Sequence, residues 1–271
     1  MCIRDRNIDD FLQNLNIDKT VEISSINGGY SNALKQLNKF IDNGYEDYAK
    51  FSSNPSKEAS SQLSPYFHSG QISTHEVFEK ISNLESWTLE SIDPKMVGRR
   101  EGWWGSTENF ESFMDELITW RELGYHTCVR RANYDQYSSL PEWAIKTLTD
   151  HSSDEREHIY SLDELTYSQT HDEIWNAAQN QLRTQGIIQN YLRMLWGKKI
   201  LEWTPNPQIA LSYMITLNDR YALDGRDPNS YSGVFWILGR YDRAWGPETV
   251  SYTHLRAHET LRYLVCRLLL E

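Results

Sequence analysis

The stretch YLRMLWGKKILEWTPNPQIALSYMITLNDRYALDGRDPN, residues 191–229, decides the fold, because its apolar and aromatic residues recur at helical spacing around two prolines. A long amphipathic segment runs from about Gln189 to Trp203. Pro207 fits the first position of a second helix, which the pattern extends to Leu217. The stretch therefore predicts two consecutive helices that lead into a polar turn.

The remaining sequence also reads as helices that are separated by polar loops. Apolar residues recur at helical intervals in residues 33–41, 77–84, 113–120 and 174–182. Residues 21–26 are the one run with a strand-like character, and the turn signal Asn27-Gly28-Gly29 follows it. The sequence has neither a β-α-β alternation nor a glycine-rich dinucleotide-binding fingerprint. We therefore predict an all-α domain with an irregular N-terminal approach.

The composition argues against several classes of protein. The chain has 271 residues and is 39% hydrophobic, yet no apolar run approaches the ~18 residues of a membrane-spanning helix. Three cysteines without a C-x-x-C pair favour a reducing, cytoplasmic location and give no sign of a zinc site. The net charge of −11 argues against unspecific coating of nucleic acid, so any DNA contact must be a local basic patch. Candidate patches are Arg99 with Arg100, Arg130 with Arg131, and Arg193 with Lys198 and Lys199, although such basic groups more often belong to solvated helix surfaces.

Both ends of the sequence look foreign to the fold. Residues 1–6 and 249–271 resemble translated sequencing-adapter sequence, so they support no functional prediction. His254 and His258 lie four residues apart, as in some metal sites, but on this interpretation their spacing is accidental. The alternative is that the tail is a genuine helix, because several leucines can share one face. These leucines are Leu255, Leu261, Leu264, Leu268 and Leu269.

Several hydroxyl groups precede a predicted helix in the segment SSQLSPY, residues 60–66. Such a turn can hold a phosphate group at the beginning of a helix. The alternative is ordinary N-capping by Ser64, with Pro65 at the first helical position. The spacing alone leaves both possibilities open.

The longer segment SQLSPYFHSGQIS, residues 61–73, resembles the motif Ser-x-Leu-Ser-Pro-Tyr-Leu-His-Phe-Gly of DNA photolyases, and residues 191–229 resemble the class II branch of that family. Phe67 and Ser69 depart from the motif, since the family has Leu and Phe there. The resemblance implies a multi-helix domain that binds FAD. It also implies that the FAD diphosphate is bound by Ser61, Gln62, Leu63 and Ser64, with Tyr48 of an upstream Tyr-Ala segment on the phosphate side.

The segment FMDELITWREL, residues 113–123, places Glu116 and Trp120 four apart, so that on an α-helix they project from one face. Alone, this pattern indicates a core tryptophan beside a carboxylate at the rim. It also resembles the family pattern Glu-x-x-x-Trp-[Arg/Lys]-Glu, which implies that Glu116 hydrogen-bonds a damaged pyrimidine pair and that Trp120 packs on it. The resemblance further assigns Met194 and Trp236 to lesion binding, although residues 239–245, GRYDRAW, depart from the GGVHDRAW of well-known members.

Ten tryptophans are a high number for 271 residues, and such large aromatic side chains fill cores or stack on flavins and nucleobases. The segment HDEIWNAAQ, residues 171–179, resembles the family's HDPLWNAAQ and implies that Trp175 belongs to its electron-transfer chain. The same match adds Trp196 and Trp203, which lie two helical turns apart, roughly 10 Å, on nearly the same face. The periodicity alone indicates a buried tryptophan stripe instead.

The polar turn LNDRYALDGRDPN, residues 217–229, resembles the part of the family that contacts the flavin ring. The resemblance implies that Asn218 faces the flavin N5 position, where an amide can hydrogen-bond both the neutral and the reduced ring. It also implies an ion pair between Arg193 and Asp224 beneath the isoalloxazine ring. Gly225 and Arg226 would be further flavin contacts.

The resemblance thus implies a light-driven deoxyribodipyrimidine photolyase that repairs cyclobutane pyrimidine dimers, flipped out of DNA, by electron transfer from reduced FAD. Its helical catalytic domain would span residues 33–248, after a linker at residues 7–32, and the family's N-terminal α/β antenna domain is expected to be missing. The full-length protein would be a monomer. The alternatives are a cryptochrome-like photosensor without repair activity and a truncated piece without activity. The predicted catalytic residues are Glu116, Trp175, Trp196, Trp203 and Asn218.

Overall fold

The computed structural model describes residues 8–99 and 101–242. Within these ranges the chain forms helices and no β-strand, which confirms the all-α prediction, and residues 21–26 are irregular. The adapter-like ends and the histidine pair in the tail lie outside the described residues. The α-helices are α1 (Ile8–Gln13), α2 (Tyr30–Asn43), α3 (Tyr48–Phe51), α4 (Ser64–His68), α5 (Thr74–Leu84), α6 (Glu108–Met114), α7 (Arg121–Arg130), α8 (Glu142–Asp150), α9 (Leu162–Thr166), α10 (Glu173–Gln185), α11 (Asn190–Glu202), α12 (Pro207–Tyr221) and α13 (Pro228–Ile237).

Local sequence signals set the helix ends around the decisive stretch. The side chain of Asn206 caps α12 by accepting a hydrogen bond from the Ile209 N–H at 2.9 Å, and Pro207 occupies the first turn. Helix α10 ends at Gln185 and is followed by Gly186, whose φ of 74° is in the left-handed region that favours glycine. The two predicted helices are therefore confirmed, and α12 continues one turn beyond the predicted Leu217.

Buried apolar side chains form two clusters. The N-terminal core joins α2 to α6, and Phe40 makes ring contacts there with Tyr45, Tyr48 and Phe113. The C-terminal core joins α8 to α13 around a group of buried tryptophans. The fully buried large side chains of the C-terminal core include Leu165, Leu182, Trp196, Ile200, Trp203 and Phe235.

The two cores are linked by a π-helical turn, Asp115–Trp120, through which α6 continues into α7. Helix α7 packs closely on α13, because a Cβ atom on Gly124 would lie 2.8 Å from Asn229 Oδ1 and 2.9 Å from Ser232 Oγ. Glycine therefore permits this approach. The packing places Trp120, at the end of the π turn, beside Trp236 near the end of α13.

Candidate active site

The serine turn before α4 and the Asp-Gly-Arg corner after α12 meet in the fold. The Ser64 hydroxyl hydrogen-bonds the carboxylate of Asp224. Ser64 is the first residue of α4, which has no side-chain cap, so the alternative of N-capping by Ser64 is wrong. Gln62 in the same turn has a φ of 53°, a conformation that is uncommon for a residue other than glycine. The serine turn thus lies next to the Asp-Gly-Arg corner.

The predicted ion pair between Arg193 and Asp224 is present. Arg193 Nη2 lies 3.1 Å from Asp224 Oδ1, and only 16% and 15% of the two side chains are exposed. Burial raises the pKa of Asp224, but the Arg193 charge and hydrogen bonds from Arg193 and Ser64 outweigh it and hold that pKa below its ordinary value. Arg193 Nε is buried and has no hydrogen-bond partner among the described residues. The pair therefore leaves one buried donor that a ligand could satisfy.

Hydrogen bonds hold both sides of the Asp-Gly-Arg corner. A Cβ atom on Gly225 would lie 2.8 Å from the carbonyl oxygen of Asn218, so the corner requires glycine. Arg226 has a φ of 66°, and its N–H donates to Asp219 Oδ1 at 3.0 Å. The buried Asn218 amide donates to Ser230 Oγ on α13. Sequence reasoning missed Ser230, because it belongs to none of the motifs.

Tyr48, predicted to lie on the phosphate side, is buried near the acids of the π-helical turn. It is buried against Phe113, with ring centroids 5.2 Å apart. Burial raises the pKa of the Tyr48 phenol, and the negative charges of Glu116 and Asp115 raise it further. The phenol therefore stays protonated at neutral pH and remains a hydrogen-bond donor. At the serine turn itself, Leu63 is fully buried and the Ser61 carbonyl accepts a bond from the Gln36 side chain.

At the π-helical turn a second acid, Asp115, contacts Trp120. The sequence interpretation assumed an α-helix, on which Glu116 shares a face with Trp120. A π turn closes i→i+5 hydrogen bonds, and here the Trp120 indole Nε1–H donates to Asp115 Oδ2 at 3.0 Å. Glu116 is exposed on the same turn. Sequence reasoning missed Asp115, because a short apolar pattern does not distinguish an α turn from a π turn.

Trp120 and Trp236 form an aromatic pair at the surface. Their ring centroids are 4.4 Å apart with planes inclined at 37°, and 39% of Trp236 is exposed. Tyr241 contacts both rings, with centroids at 5.8 Å and 6.1 Å. Met194 approaches α13 one turn earlier, since a Cβ atom on Gly233 would lie 3.7 Å from its methyl carbon. Two of the predicted lesion-binding residues, Trp120 and Trp236, are thus in ring contact, and Tyr241, within the atypical GRYDRAW segment, was missed.

The three predicted electron-transfer tryptophans are in ring contact. Trp175 lies parallel to Trp196 at 6.5 Å and meets Trp203 edge-on at 5.6 Å. The Trp175 indole N–H also donates to the Trp196 carbonyl at 3.0 Å. The spacing suggested Trp196 and Trp203 as consecutive steps along one helix, but Trp203 lies just after α11 and Trp175 of α10 contacts both. The order of ring contacts is therefore Trp196, Trp175, Trp203.

Ring contacts continue from Trp203 toward the surface. Tyr160 lies 5.5 Å and His171 5.2 Å from Trp203, between centroids. The Tyr160 hydroxyl is 2.7 Å from His171 Nδ1, and His171 is exposed. Sequence reasoning missed Tyr160, because it belongs to a loop outside the motifs.

One of the candidate basic patches is mostly engaged within the protein. Arg193 is paired with Asp224, and Lys199 Nζ lies 2.9 Å from Glu202. Burial lowers the pKa of Lys198 to about 8. These three residues therefore do not form a solvated phosphate-binding patch. Arg100 lies outside the described residues, and Arg131 donates to the Ser139 carbonyl.

Neither a metal-binding cluster nor a membrane-crossing helix occurs in residues 8–99 and 101–242. In these ranges no group of three or more His, Cys, Asp or Glu side chains could hold a metal ion. In the same ranges no helix is both long and apolar enough to cross a membrane.

The chain resembles known proteins in both fold and sequence, although no family model matches it. Its fold is similar to that of a bacterial class III photolyase from Agrobacterium tumefaciens, with a TM-score of 0.55 at 20% identity over 88% of this chain and 45% of the other. A Synechocystis cryptochrome gives a TM-score of 0.57 at 15% identity over 92% and 47%. The helical fold is therefore one that photolyases and cryptochromes share.

The sequence comparison is more specific. The chain is 38% identical over 242 residues to a deoxyribodipyrimidine photo-lyase of Methanothermobacter thermautotrophicus, which covers 89% of this chain and 49% of the relative. It spans less than half the length of the curated relatives that match most of its own sequence. Together, the relatives and the structural neighbours support the photolyase/cryptochrome family as the family of this chain.

Proposed function

We propose that this chain is the helical, FAD-binding part of a class II deoxyribodipyrimidine photolyase, which repairs cyclobutane pyrimidine dimers in DNA under light. The observation that carries the proposal is that Ser64 and Arg193 converge on Asp224. These three residues come from motifs that the resemblance assigns to one cofactor. The name of the 38% identical relative supports the same activity.

The residues of the corner fit a flavin. Arg193 Nε is a buried donor without a protein partner in the described part of the chain, and Tyr48 offers a protonated phenol. Ser61, Gln62, Leu63 and Ser64 would hold the diphosphate, while Asn218, Asp224, Gly225 and Arg226 would contact the ring. The ionised Asp224 keeps Arg193 in place, and Arg193 favours a ring that carries negative charge. Bound reduced FAD would supply the electron that splits the dimer after excitation.

The aromatic pair would receive the lesion. Flipping a dimer out of the duplex costs a few kcal/mol, least where the bases are already poorly stacked. Stacking on an aromatic side chain contributes roughly 1–3 kcal/mol per base, which Trp120 and Trp236 would provide. Met194 would pack against the same bases, and Glu116 would hydrogen-bond them. Because the two rings touch each other, we expect them to separate when the dimer enters.

The tryptophan series would keep the flavin reduced. Trp196, Trp175 and Trp203 make consecutive ring contacts, so that an electron can pass inward from the exterior of the bundle. All three are at least 97% buried, which excludes water from the path. We further propose that the full-length protein acts as a monomer and that it is cytoplasmic, since the three cysteines of this chain fit a reducing compartment.

Binding of lesion-bearing DNA tests the proposal. In the full-length parent protein, Trp236→Ala should weaken binding of an oligonucleotide with one cyclobutane dimer by about tenfold to a hundredfold, because one stack is lost. Its flavin content should not change. Trp103→Ala is the matched control, since Trp104 is the only aromatic ring that Trp103 contacts in the described part of the chain. Unchanged lesion affinity in Trp236→Ala would refute the assigned role.

A cryptochrome-like photosensor is the second candidate, because the fold is also similar to that of a Synechocystis cryptochrome and therefore does not distinguish the two functions. A sensor would need the flavin corner and the tryptophan series but no lesion-binding residues. The close pair of Trp120 and Trp236 therefore favours the enzyme. Blue-light repair of the dimer oligonucleotide separates the two functions, since a sensor would leave the lesion intact.

A further inference from the structure

We propose that Asp115 is a positioning residue for substrate binding, which acts by fixing the indole ring of Trp120. The inference rests on the proposed function, because it concerns how the lesion is recognised. Asp115 belongs to none of the assigned motif positions. Its carboxylate accepts the Trp120 indole N–H at 3.0 Å.

The π turn creates this contact. On an α-helix, residues five apart point in directions that differ by about 140°, so their side chains do not meet. A π turn closes i→i+5 hydrogen bonds and brings such residues together. The turn comes at a cost, because the Thr119 hydroxyl within it is buried without a hydrogen-bond partner in the described chain. A costly local geometry that makes one specific contact indicates a functional reason for it.

The hydrogen bond to Asp115 uses the N–H edge of the Trp120 indole and not its face. Asp115 binds the Trp120 indole at its N–H edge, and Tyr241 is inclined at 75° to the indole ring, with centroids 5.8 Å apart. The ring face is left toward Trp236, 4.4 Å away. The Trp236 side chain makes no hydrogen bond within the described part of the chain. Trp120 is therefore the fixed wall of the lesion site, and Trp236 is the wall that moves.

Asp115 also lies close to the cofactor side. Its charge and that of Glu116 both act on the phenol of Tyr48, which is buried in the N-terminal core. One short turn thus joins the residue predicted to bind the flavin phosphate to the residue predicted to stack on the lesion. Fixing the ring through this turn sets the lesion at a defined distance from the cofactor.

A double-mutant cycle in the full-length, flavin-loaded parent protein tests the inference. Asp115→Ala should lower the affinity for the dimer oligonucleotide by roughly tenfold, as expected for loss of a hydrogen bond to a charged group. In the Trp120→Phe background, which has no indole N–H, the same substitution should not weaken binding. Asp115→Asn keeps an acceptor oxygen and should restore most of the affinity.

Whether Asp115→Ala weakens or strengthens DNA binding distinguishes a positioning role of Asp115 from a simple effect of its charge. Removing a carboxylate near DNA should strengthen binding, because the phosphates are anionic. A weaker complex in Asp115→Ala must therefore arise through Trp120. Glu108→Ala is the matched control for loss of one exposed acid in the same helical stretch, and it should not weaken binding.

Flavin stoichiometry and near-ultraviolet circular dichroism identify any variant that does not fold. An equal loss of affinity in both backgrounds, or no loss with Trp120 intact, overturns the inference. If the unmodified parent protein does not distinguish lesion DNA from undamaged DNA, the proposed function itself fails. If it does so and Asp115→Ala binds equally well, only the role of Asp115 fails.

Discussion

The indole rings of Trp175 and Trp196 are parallel within 1°, with centroids 6.5 Å apart, although the residues belong to different helices. The Trp175 N–H fixes this arrangement by donating to the Trp196 carbonyl at 3.0 Å. Trp196 in turn donates to Gln179 Oε1 at 2.8 Å. Both ring orientations are therefore set by hydrogen bonds inside the C-terminal core.

If the tryptophans carry electrons as proposed, Trp175 is the middle step, because it contacts both other rings. In the parent protein, Trp175→Phe should reduce the rate of flavin photoreduction to the level of a Trp175→Phe/Trp196→Phe double variant, because the ring contact with Trp203 is broken. The measurement is loss of oxidised-flavin absorbance under blue light with an external reductant. Trp87→Phe, in the N-terminal core, is the control and should reduce flavin normally. A normal rate in Trp175→Phe would contradict the assigned order.

The Arg193–Asp224 pair should dominate local stability. Asp224→Asn leaves a buried guanidinium without its counter-charge, which we expect to lower the free energy of unfolding by about 3 kcal/mol in urea titrations. Glu58→Gln removes one partner of the exposed Lys39–Glu58 pair and should change stability very little. If both substitutions lowered the free energy of unfolding equally, burial would not explain the stability of the Arg193–Asp224 pair.

The buried carboxylate of Glu111 should organise the loop before α6. It accepts backbone N–H bonds from Gly102 at 2.6 Å, Gly105 at 2.8 Å and Ser106 at 3.4 Å. Glu111→Gln places an amide NH₂ group against these donors and should cost about 1–3 kcal/mol. Hydrogen exchange at the two glycine amides should accelerate. Exposed Glu108→Gln is the control, and slow exchange in Glu111→Gln would contradict the interpretation.

Lys198 should make stability depend on alkaline pH. Burial lowers its pKa from 10.5 to about 8, against the opposing influence of Asp242. Between these pH values the unfolded chain binds one more proton than the folded chain, so stability rises with pH across this window. Below pH 8 the buried charge costs up to about 3 kcal/mol.

The substitution Lys198→Met removes that charge. We expect it to raise the free energy of unfolding at pH 7 by up to about 3 kcal/mol, and the gain should vanish as the pH approaches 10.5. Urea titrations at several pH values measure the difference. Lys199→Met is the control, since Lys199 forms an ion pair with Glu202 at 2.9 Å. A gain that stays constant with pH would contradict burial as its cause.

The helices could be predicted from the sequence, because their signals are local. Asn206 and Pro207 mark the start of α12, and the apolar periodicity marks its length. The ion pair of Arg193 and Asp224 was also predicted, although through family resemblance rather than spacing. The described part of the chain contains no strand at residues 21–26, because short apolar runs do not specify their conformation without a partner.

What could not be predicted depends on contacts between distant segments. No local pattern indicates that Ser64 is the first residue of α4 instead of its cap, or that its side chain lies beside Asp224. Likewise, Trp175 comes to lie between Trp196 and Trp203 only when α10 packs on α11. A helical stripe fixes which face is apolar but not which ring from another helix fills the gap.

The π turn at Asp115–Trp120 matters for how such chains are aligned. A π turn holds one residue more than the α-helical turn that it replaces, so a relative with an uninterrupted helix would carry a single-residue gap here. An alignment without that gap would pair Glu116 with its true equivalent but would pair Trp120 with a residue that is not its structural equivalent. Inventories of lesion-binding side chains across distant branches should therefore be drawn up by superposition rather than by counting from the acid.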